Sequence, residues 1–441
     1  MSSHTLEAVL TTARLCVAQR GLCWELGESF LQIILNRDYI PAIGLGVTQI
    51  MGYGTLMYAY AVLLPEMARD LGLTLSEVFG VLSLGLFFGG LVSPIAGKLV
   101  DHCGGRWVMT LGSIVASLAL MAMSQIEGRI GLFVLILVAE GAGMFVLYNV
   151  AFASVARLDL GVPPQRSISV ITLFGGVAST IFWPLTLALF NRYGWETTWV
   201  ILGFSALLIC TPIHFFVLRG PERAAGAHKP DNAPDWPELT GHLRKQAMLW
   251  MVVSFIFSGY LMGAVMTLWV TNVQDLGHTA AMAAFAGAVI GPFKTVGRFF
   301  EMVVSRSMYP LVTYALSLGL MFSGFVVLLI FGFTLTGLLL AAALYGMGDG
   351  IKTIARGTLP LALFGAKGYG ARLGLISFVQ MGINASAPFA FAWTTQTYGG
   401  WWSFAVMALC LCCAIATYMF IPDPRTHRHD PAQNRRLPEN I

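Results

Sequence analysis

Charge is scarce in this sequence. Asp, Glu, Lys and Arg make up 11% of its 441 residues, against about 25% in soluble domains, which excludes a chain wetted over most of its surface and makes hydrocarbon the expected solvent. Catalytic signatures are missing as well. No G-x-S-x-G, H-E-x-x-H, Walker-type or paired CxxC motif occurs, which argues against an enzyme and against ATP-driven transport. Seven cysteines (Cys16, Cys23, Cys103, Cys210, Cys410, Cys412 and Cys413) show no metal-ligand spacing with histidine, and several sit in apolar runs where a small soft side chain simply packs. No disulfide framework, metal or cofactor is expected. The formal net charge of +4 does not point to nucleic acid, because the basic residues are spread through short loops instead of gathering on one face.

Long apolar runs are what the chain has in abundance. A crossing needs about 20 apolar residues to cover roughly 30 Å of hydrocarbon. Stretches free of Asp, Glu, Lys and Arg run over 39–65, 78–97, 107–126, 167–191, 197–218, 246–274 and 276–293. Two longer stretches, 307–348 and 373–422, each hold more than one helix, and 130–156 is interrupted by Glu140 alone. The predicted fold is all-α and membrane-integral, with twelve transmembrane helices in two pseudo-symmetric six-helix bundles. It divides into an amino-terminal extension (1–38), a first bundle (39–218), a polar, proline-bearing linker (219–246), a second bundle (247–422) and a tail (423–441). Arg14, Arg20, Glu25 and Glu28 interrupt the extension, which fits an interfacial or disordered segment and not a signal peptide. Basic residues set the orientation: with both termini cytoplasmic, inner segments hold 19 of the 26 Lys and Arg, outer loops hold Arg69, Arg129 and Arg192, and four lie within spans.

The two bundles share sequence. At a constant offset of 205 residues, the segment 54–74 matches 259–279 at Gly54/Gly259, Leu56/Leu261, Met57/Met262, Ala59/Ala264, Leu63/Leu268, Asp70/Asp275, Leu71/Leu276, Gly72/Gly277 and Thr74/Thr279. A duplicated membrane half is the pattern of a secondary transporter, whose solute site lies between repeats that rock around it.

After the second predicted span the chain reads Gly97-Lys98-Leu99-Val100-Asp101-His102-Cys103-Gly104-Gly105-Arg106. This loop resembles the G-x-L-x-D-R-x-G-R-R signature of the major facilitator superfamily, through Gly97, Leu99, Asp101, Gly104 and the positive charge of Arg106. The physical use of such a loop is that Gly lets helix ends approach while Asp meets a helix amino terminus or an Arg across the interface and holds one conformation. Pro184 with Tyr193-Gly194-Trp195 recurs as Pro388 with Tyr398-Gly399-Gly400-Trp401, so the resemblance covers about 39–420. Two departures stand out. The fourth span reads Val138-Ala139-Glu140-Gly141-Ala142-Gly143 without the Arg many members carry there, and the fifth has Gly175-Gly176 and Pro184 in place of the G-P-x-x-G-G pattern of drug/proton antiporters.

Charges inside spans need a reason, since each costs about 2.5 to 3.5 kcal/mol or more unless it faces a cavity or a partner. Lys294, Arg298 and Glu301 share one side of the eighth span, and Asp349, Lys352 and Arg356 share one side of the tenth. A guanidinium forks onto a carboxylate in two hydrogen bonds, so Arg298 is the leading substrate ligand, with help from Lys294, Lys352 or Arg356. Structural ion pairs, Arg298 with Glu301 and Arg356 with Asp349, are the alternative. A Gly297-Arg298 pair at this depth is similar to oxalate and monocarboxylate transporters of the same superfamily, which implies that Arg298 meets substrate carboxylate. Tyr53, Tyr58, Asn149, Gln380 and Asn384 are polar groups able to orient a substrate or to bridge helices. Glu140 is the first candidate for proton coupling, because burial makes a carboxyl's protonation reversible near neutral pH; Asp349 and Glu301 are the others. Gly141, Gly143, Gly346, Gly348 and Gly350 are expected to let helices approach closely.

Together these features predict a secondary carrier, monomeric and multi-pass in a bacterial-type inner membrane, that moves a small organic anion with protons or against a counter-anion. An efflux pump for amphipathic or cationic compounds and a transporter-like receptor are the competing readings.

Overall fold

The computed structural model describes residues 36–220, 239, 241–304, 308–387, 390, 391, 394, 398 and 400–426. The expectations for the extension, for most of the linker and for the end of the tail lie outside these residues. Every regular element among them is helical, and nine helices are long and apolar enough to cross a membrane. One of the nine, Pro164–Val217, has 54 residues, about 80 Å at 1.5 Å per residue, far longer than one crossing. It turns back at Gly194, whose φ of 77° and ψ of 171° no α-helix allows, and so forms the fifth and sixth spans. Counting it twice and adding Ala280–Val304 and Tyr369–Asn384 gives the twelve crossings expected. Leu84, Leu111, Leu208, Leu329 and Leu409 are among many large apolar side chains exposed on the outside, which only a lipid solvent tolerates.

The internal repeat has a local cause. Gly72 and Gly277, equivalent at the 205-residue offset, both take left-handed φ values (64° and 93°) just past the ends of the first and seventh spans, where a side chain would be strained. Thr74 then caps the second span, accepting from the Glu77 amide at 3.2 Å while Glu77 accepts from the Thr74 amide at 2.9 Å, a reciprocal capping box. Thr279 accepts from the Met282 amide at 3.3 Å in the equivalent place. The shared D-L-G-x-T sequence thus encodes a stop followed by a start.

The signature segment is not the loop that the sequence suggests. The second-span helix continues over Leu75–Cys103 and the third begins at Gly105, so Gly104 alone, at φ 75°, makes the turn. Because the helix persists, Gly97 and Asp101 lie one turn apart on the same face, and that face meets the other half of the molecule.

Two spans are broken in mid-course. The fourth runs as Arg129–Gly143 and Tyr148–Arg157, and the fifth as Pro164–Gly175 before resuming at Ala178. At the first break the Val150 amide bonds to the Leu147 carbonyl, and the Val146 carbonyl is taken by Gln49 Nε2 of the first span at 2.9 Å. A backbone group inside hydrocarbon must find such a partner. The first span also carries one π-helical turn, Gly54–Tyr58. Gly54 lies so close to the Phe182 ring that a Cβ there would come within 2.3 Å, and Gly259, its repeat partner, is as tight against Asn384.

Within each half the packing corresponds. The second span packs on the fourth as the eighth does on the tenth, and the first on the fifth and sixth as the seventh does on the eleventh and twelfth. Between halves, the second span lies along the eleventh and the fifth meets the eighth, two pairings that interchange under the repeat. At the end of the bundle bearing Asp101, Arg157, Lys367 and Arg372, here termed the basic end, one buried apolar cluster joins Ala96, Val100, Val150 and Phe152 of the first half to Leu361, Tyr369 and Leu373 of the second.

Candidate substrate site and the interface around it

Close helix approach builds the charged cluster. Cβ atoms at Gly297, Gly346 and Gly350 would lie 2.3, 2.6 and 2.2 Å from carbonyl oxygens across the contact between the eighth and tenth spans, and one at Gly348 would lie 2.7 Å from the Ser317 carbonyl of the ninth. The tenth span is therefore wedged between two neighbours at backbone contact. That closeness lets Asp349, 2% exposed, receive two lysines. Lys294 Nζ reaches Asp349 Oδ2 at 2.8 Å and Lys352 Nζ reaches Oδ1 at 2.7 Å, while Lys352 also donates to the Ser258 carbonyl of the seventh span at 3.1 Å. One carboxylate thus carries two ammonium groups, and the triad retains a positive charge.

Neither arginine follows the ion pairs that the sequence allows. Arg298 donates from Nη1 to the Thr172 carbonyl at 2.9 Å and from Nη2 to Thr353 Oγ1 at 3.4 Å, with no carboxylate partner among the described residues. Glu301, the expected mate, instead accepts from Ser169 of the fifth span at 3.0 Å. Arg356 donates to Ser377 Oγ at 2.6 Å and to Asn149 Oδ1 at 3.5 Å, and Asn149 Nδ2 donates to the same Ser377 at 2.6 Å. Asn149 belongs to the first half and Arg356 and Ser377 to the second, so this group bridges the halves.

The first half faces these cations with aromatic rings. Tyr53 packs on Tyr148 at 4.7 Å between centroids and Tyr148 stacks on Phe152 at 5.1 Å. The Tyr148 hydroxyl occupies the space over Gly175, where a Cβ would lie 2.1 Å away, and Arg298 Nη1 occupies the space over Gly176, 2.6 Å from a Cβ there.

The remaining candidates stand apart. Glu140, 3% exposed, has Oε1 without a hydrogen-bond partner, as does the neighbouring buried hydroxyl of Tyr60. It lies in the first half's own core, beside Gly85 of the second span, away from the lysines and arginines. Gln380 Oε1 and Asn384 Oδ1 are likewise buried and unpartnered. Sequence reading missed Thr172, Ser169, Tyr148 and Ser377. Thr172 acts through its backbone and carries no side-chain signal; Tyr148 was the detectable one, an aromatic neighbour of Asn149.

In the signature segment Asp101 crosses to the other half. It accepts from the amides of Gly370 at 3.0 Å and Ala371 at 2.7 Å, at the amino terminus of the eleventh span, where unpaired N–H groups and the helix dipole favour a carboxylate. Gly97 permits the approach, since a Cβ there would fall 2.1 Å from the Gly370 carbonyl oxygen. Arg157 donates to the Asp101 carbonyl from behind. Leu99 and Arg106 have no part in this clamp: Leu99 is 40% exposed on the outer face, and Arg106 stacks over Phe215 at 4.1 Å and Trp107 at 5.2 Å.

Two six-helix halves related by an internal repeat, with charged groups gathered where the halves meet, define a secondary membrane carrier and not an enzyme. Residues 47–381 match the Major Facilitator Superfamily model, and the chain belongs to that family. Human monocarboxylate transporter 2 is 22% identical over 350 residues, covering 74% of this chain and 72% of that protein. Monocarboxylate transporter 3 of Rattus norvegicus is 25% identical over 337 residues, covering 73% and 67%. Among solved structures, the human organic anion transporter MFSD10 superposes with a TM-score of 0.64 at 16% identity, covering 88% of this chain and 99% of that one. The superfamily transporter FucP, crystallised in its outward conformation, superposes at 0.61 and 17% identity, covering 88% and 100%.

Proposed function

We propose that the protein carries a small organic anion, of carboxylate type, across the inner membrane, with both termini cytoplasmic and with protons or a counter-anion coupled to the movement. The observation that carries this reading is the surplus of positive charge: two lysines share Asp349, and Arg298 and Arg356 have only neutral partners among the described residues. A cation held in a low-dielectric site without a counter-ion is costly, and an anionic substrate supplies the missing charge. A carboxylate would be held by Arg298, with Lys294, Lys352 and Arg356 setting the potential and Tyr53, Asn149, Gln380 and Asn384 lining its path. The names of the relatives, monocarboxylate and organic anion transporters, support the same substrate chemistry. Glu140 is the proposed proton carrier in the first half. Asp349 serves this role less well, because both of its oxygens are already engaged by lysines.

Purified protein in liposomes, offered a panel of mono- and dicarboxylates with and without a pH gradient, tests the proposal. Carboxylate uptake should fall about tenfold or more in Arg298→Ala, the weight of a charge-assisted hydrogen bond. Glu140→Gln should remove accumulation driven by the pH gradient while leaving exchange. Transport of cationic dyes without carboxylates would overturn the substrate class, and an unchanged pH response in Glu140→Gln would overturn its coupling role.

A further inference from the structure

The fifth span is interrupted where the eighth leans against it. Its first helix ends at Gly175, and Gly176, at φ −65° and ψ −28°, continues with ordinary helical dihedrals before the chain resumes at Ala178. Glycine is therefore not required here by backbone conformation. It is required by what occupies the space: Arg298 Nη1, 2.6 Å from any Cβ at Gly176, with Thr295 Oγ1 at 3.1 Å. The guanidinium enters this notch from the other half of the molecule and bonds the Thr172 carbonyl at 2.9 Å, an oxygen that already accepts from the Gly176 amide at 3.0 Å. Arg298 is 8% exposed there, and the Ser169–Glu301 bond lies one helical turn further toward the basic end.

We propose that Gly176 is a positioning residue, whose missing side chain creates a seat in which Arg298 latches the fifth span to the eighth and holds the basic end shut. An anion that binds the same guanidinium then draws it from the seat and releases the latch, because a carboxylate fork is the stronger, charge-assisted partner, whereas the Thr172 carbonyl is neutral and already accepts from the Gly176 amide. The release step rests on the anion reading above; the latch does not. It forms the counterpart, under the internal repeat, of the Asp101 clamp between the second and eleventh spans, but with one difference of consequence. Asp101 binds backbone amides away from the charged cluster, whereas Arg298 belongs to that cluster. The pair of interface contacts is thus asymmetric, with one able to sense an anion and one not.

The test replaces Gly176 with Ala and follows the basic end without any substrate. Spin labels at Gln165→Cys and Lys367→Cys, in a background freed of the natural cysteines, report the separation of the halves by double electron–electron resonance. In Gly176→Ala the distance distribution should shift toward wider separations, and Arg298→Gln should reproduce the shift. Ala favours helix over Gly, so weakening of the helix cannot account for opening. Gly319→Ala, where a Cβ would meet nothing within 4 Å, should leave the distribution unchanged. In liposomes the Gly176→Ala protein should bind the transported carboxylate more tightly, by about tenfold, since the Thr172 carbonyl no longer competes for a charged donor. A shift without any carboxylate transport would uphold the latch and sink the substrate reading. Unchanged distances in both Gly176→Ala and Arg298→Gln, in protein that remains monodisperse, would overturn the latch.

Discussion

Asp349 shows how one residue governs the charge of the whole second half. Removing its carboxylate leaves Lys294 and Lys352 facing each other in a buried site, and breaking a buried pair in this way costs about 3–5 kcal/mol. Asp349→Asn should therefore lower the thermal midpoint of the detergent-solubilised protein sharply. Adding Lys294→Met should recover part of the loss by deleting one of the orphaned charges; a double variant no better than the single one would show that charge balance is not what Asp349 provides. That Asp349 and the lysines share a helix side was legible in the sequence, from spacings of three and four. Which charge takes which partner was not, because Lys294 reaches Asp349 only through the backbone contact at Gly350, and Arg298 is drawn off by a carbonyl that no sequence pattern marks.

Helices were read with success wherever lipid is the constraint, since an apolar run of sufficient length has few alternatives in hydrocarbon. Their interruptions were not. The breaks at 144–147 and 176–177 contain no proline; the first has its Val146 carbonyl met by Gln49 of another helix, and the second lies where the Arg298 guanidinium fills the space over Gly176, so tertiary partners decide them. The supposed loop at 97–106 failed for the opposite reason: polar residues ended the apolar run while the helix went on to Cys103. Glycine pattern is the sharper guide to packing at this scale. Gly350→Leu would drive a side chain into the Lys294 carbonyl, backbone that cannot yield, and should cost at least the ~1–3 kcal/mol of core overpacking. Gly319→Leu, in open space, should express and fold normally. The yield of monodisperse protein for the two variants separates these outcomes.

At the basic end, polar contacts and a shared apolar cluster coincide to join the two halves. Asp101→Ala removes an interfacial cap worth about 1–2 kcal/mol, enough to change the ratio of open to closed molecules by roughly tenfold. A cysteine at Ser169, 5% exposed in the closed interface, should then be alkylated correspondingly faster by a water-soluble maleimide. An unaltered rate would mean that the apolar cluster and the contacts between the fifth and eighth spans keep this end closed without Asp101. The duplicated architecture could be read from the 205-residue offset, but the asymmetry of its two interface contacts could not, because repeat-related positions carry unrelated residues.

The amides of Gly370 and Ala371 also limit what can be exchanged among related carriers. They form a socket moulded to one acidic plug supplied from the opposite repeat. A hybrid assembled from the front portion of one such protein and the rear of another should function only when the donor front brings an acid in register with that socket, so interchangeability of parts becomes a matter of matching a single pair of positions.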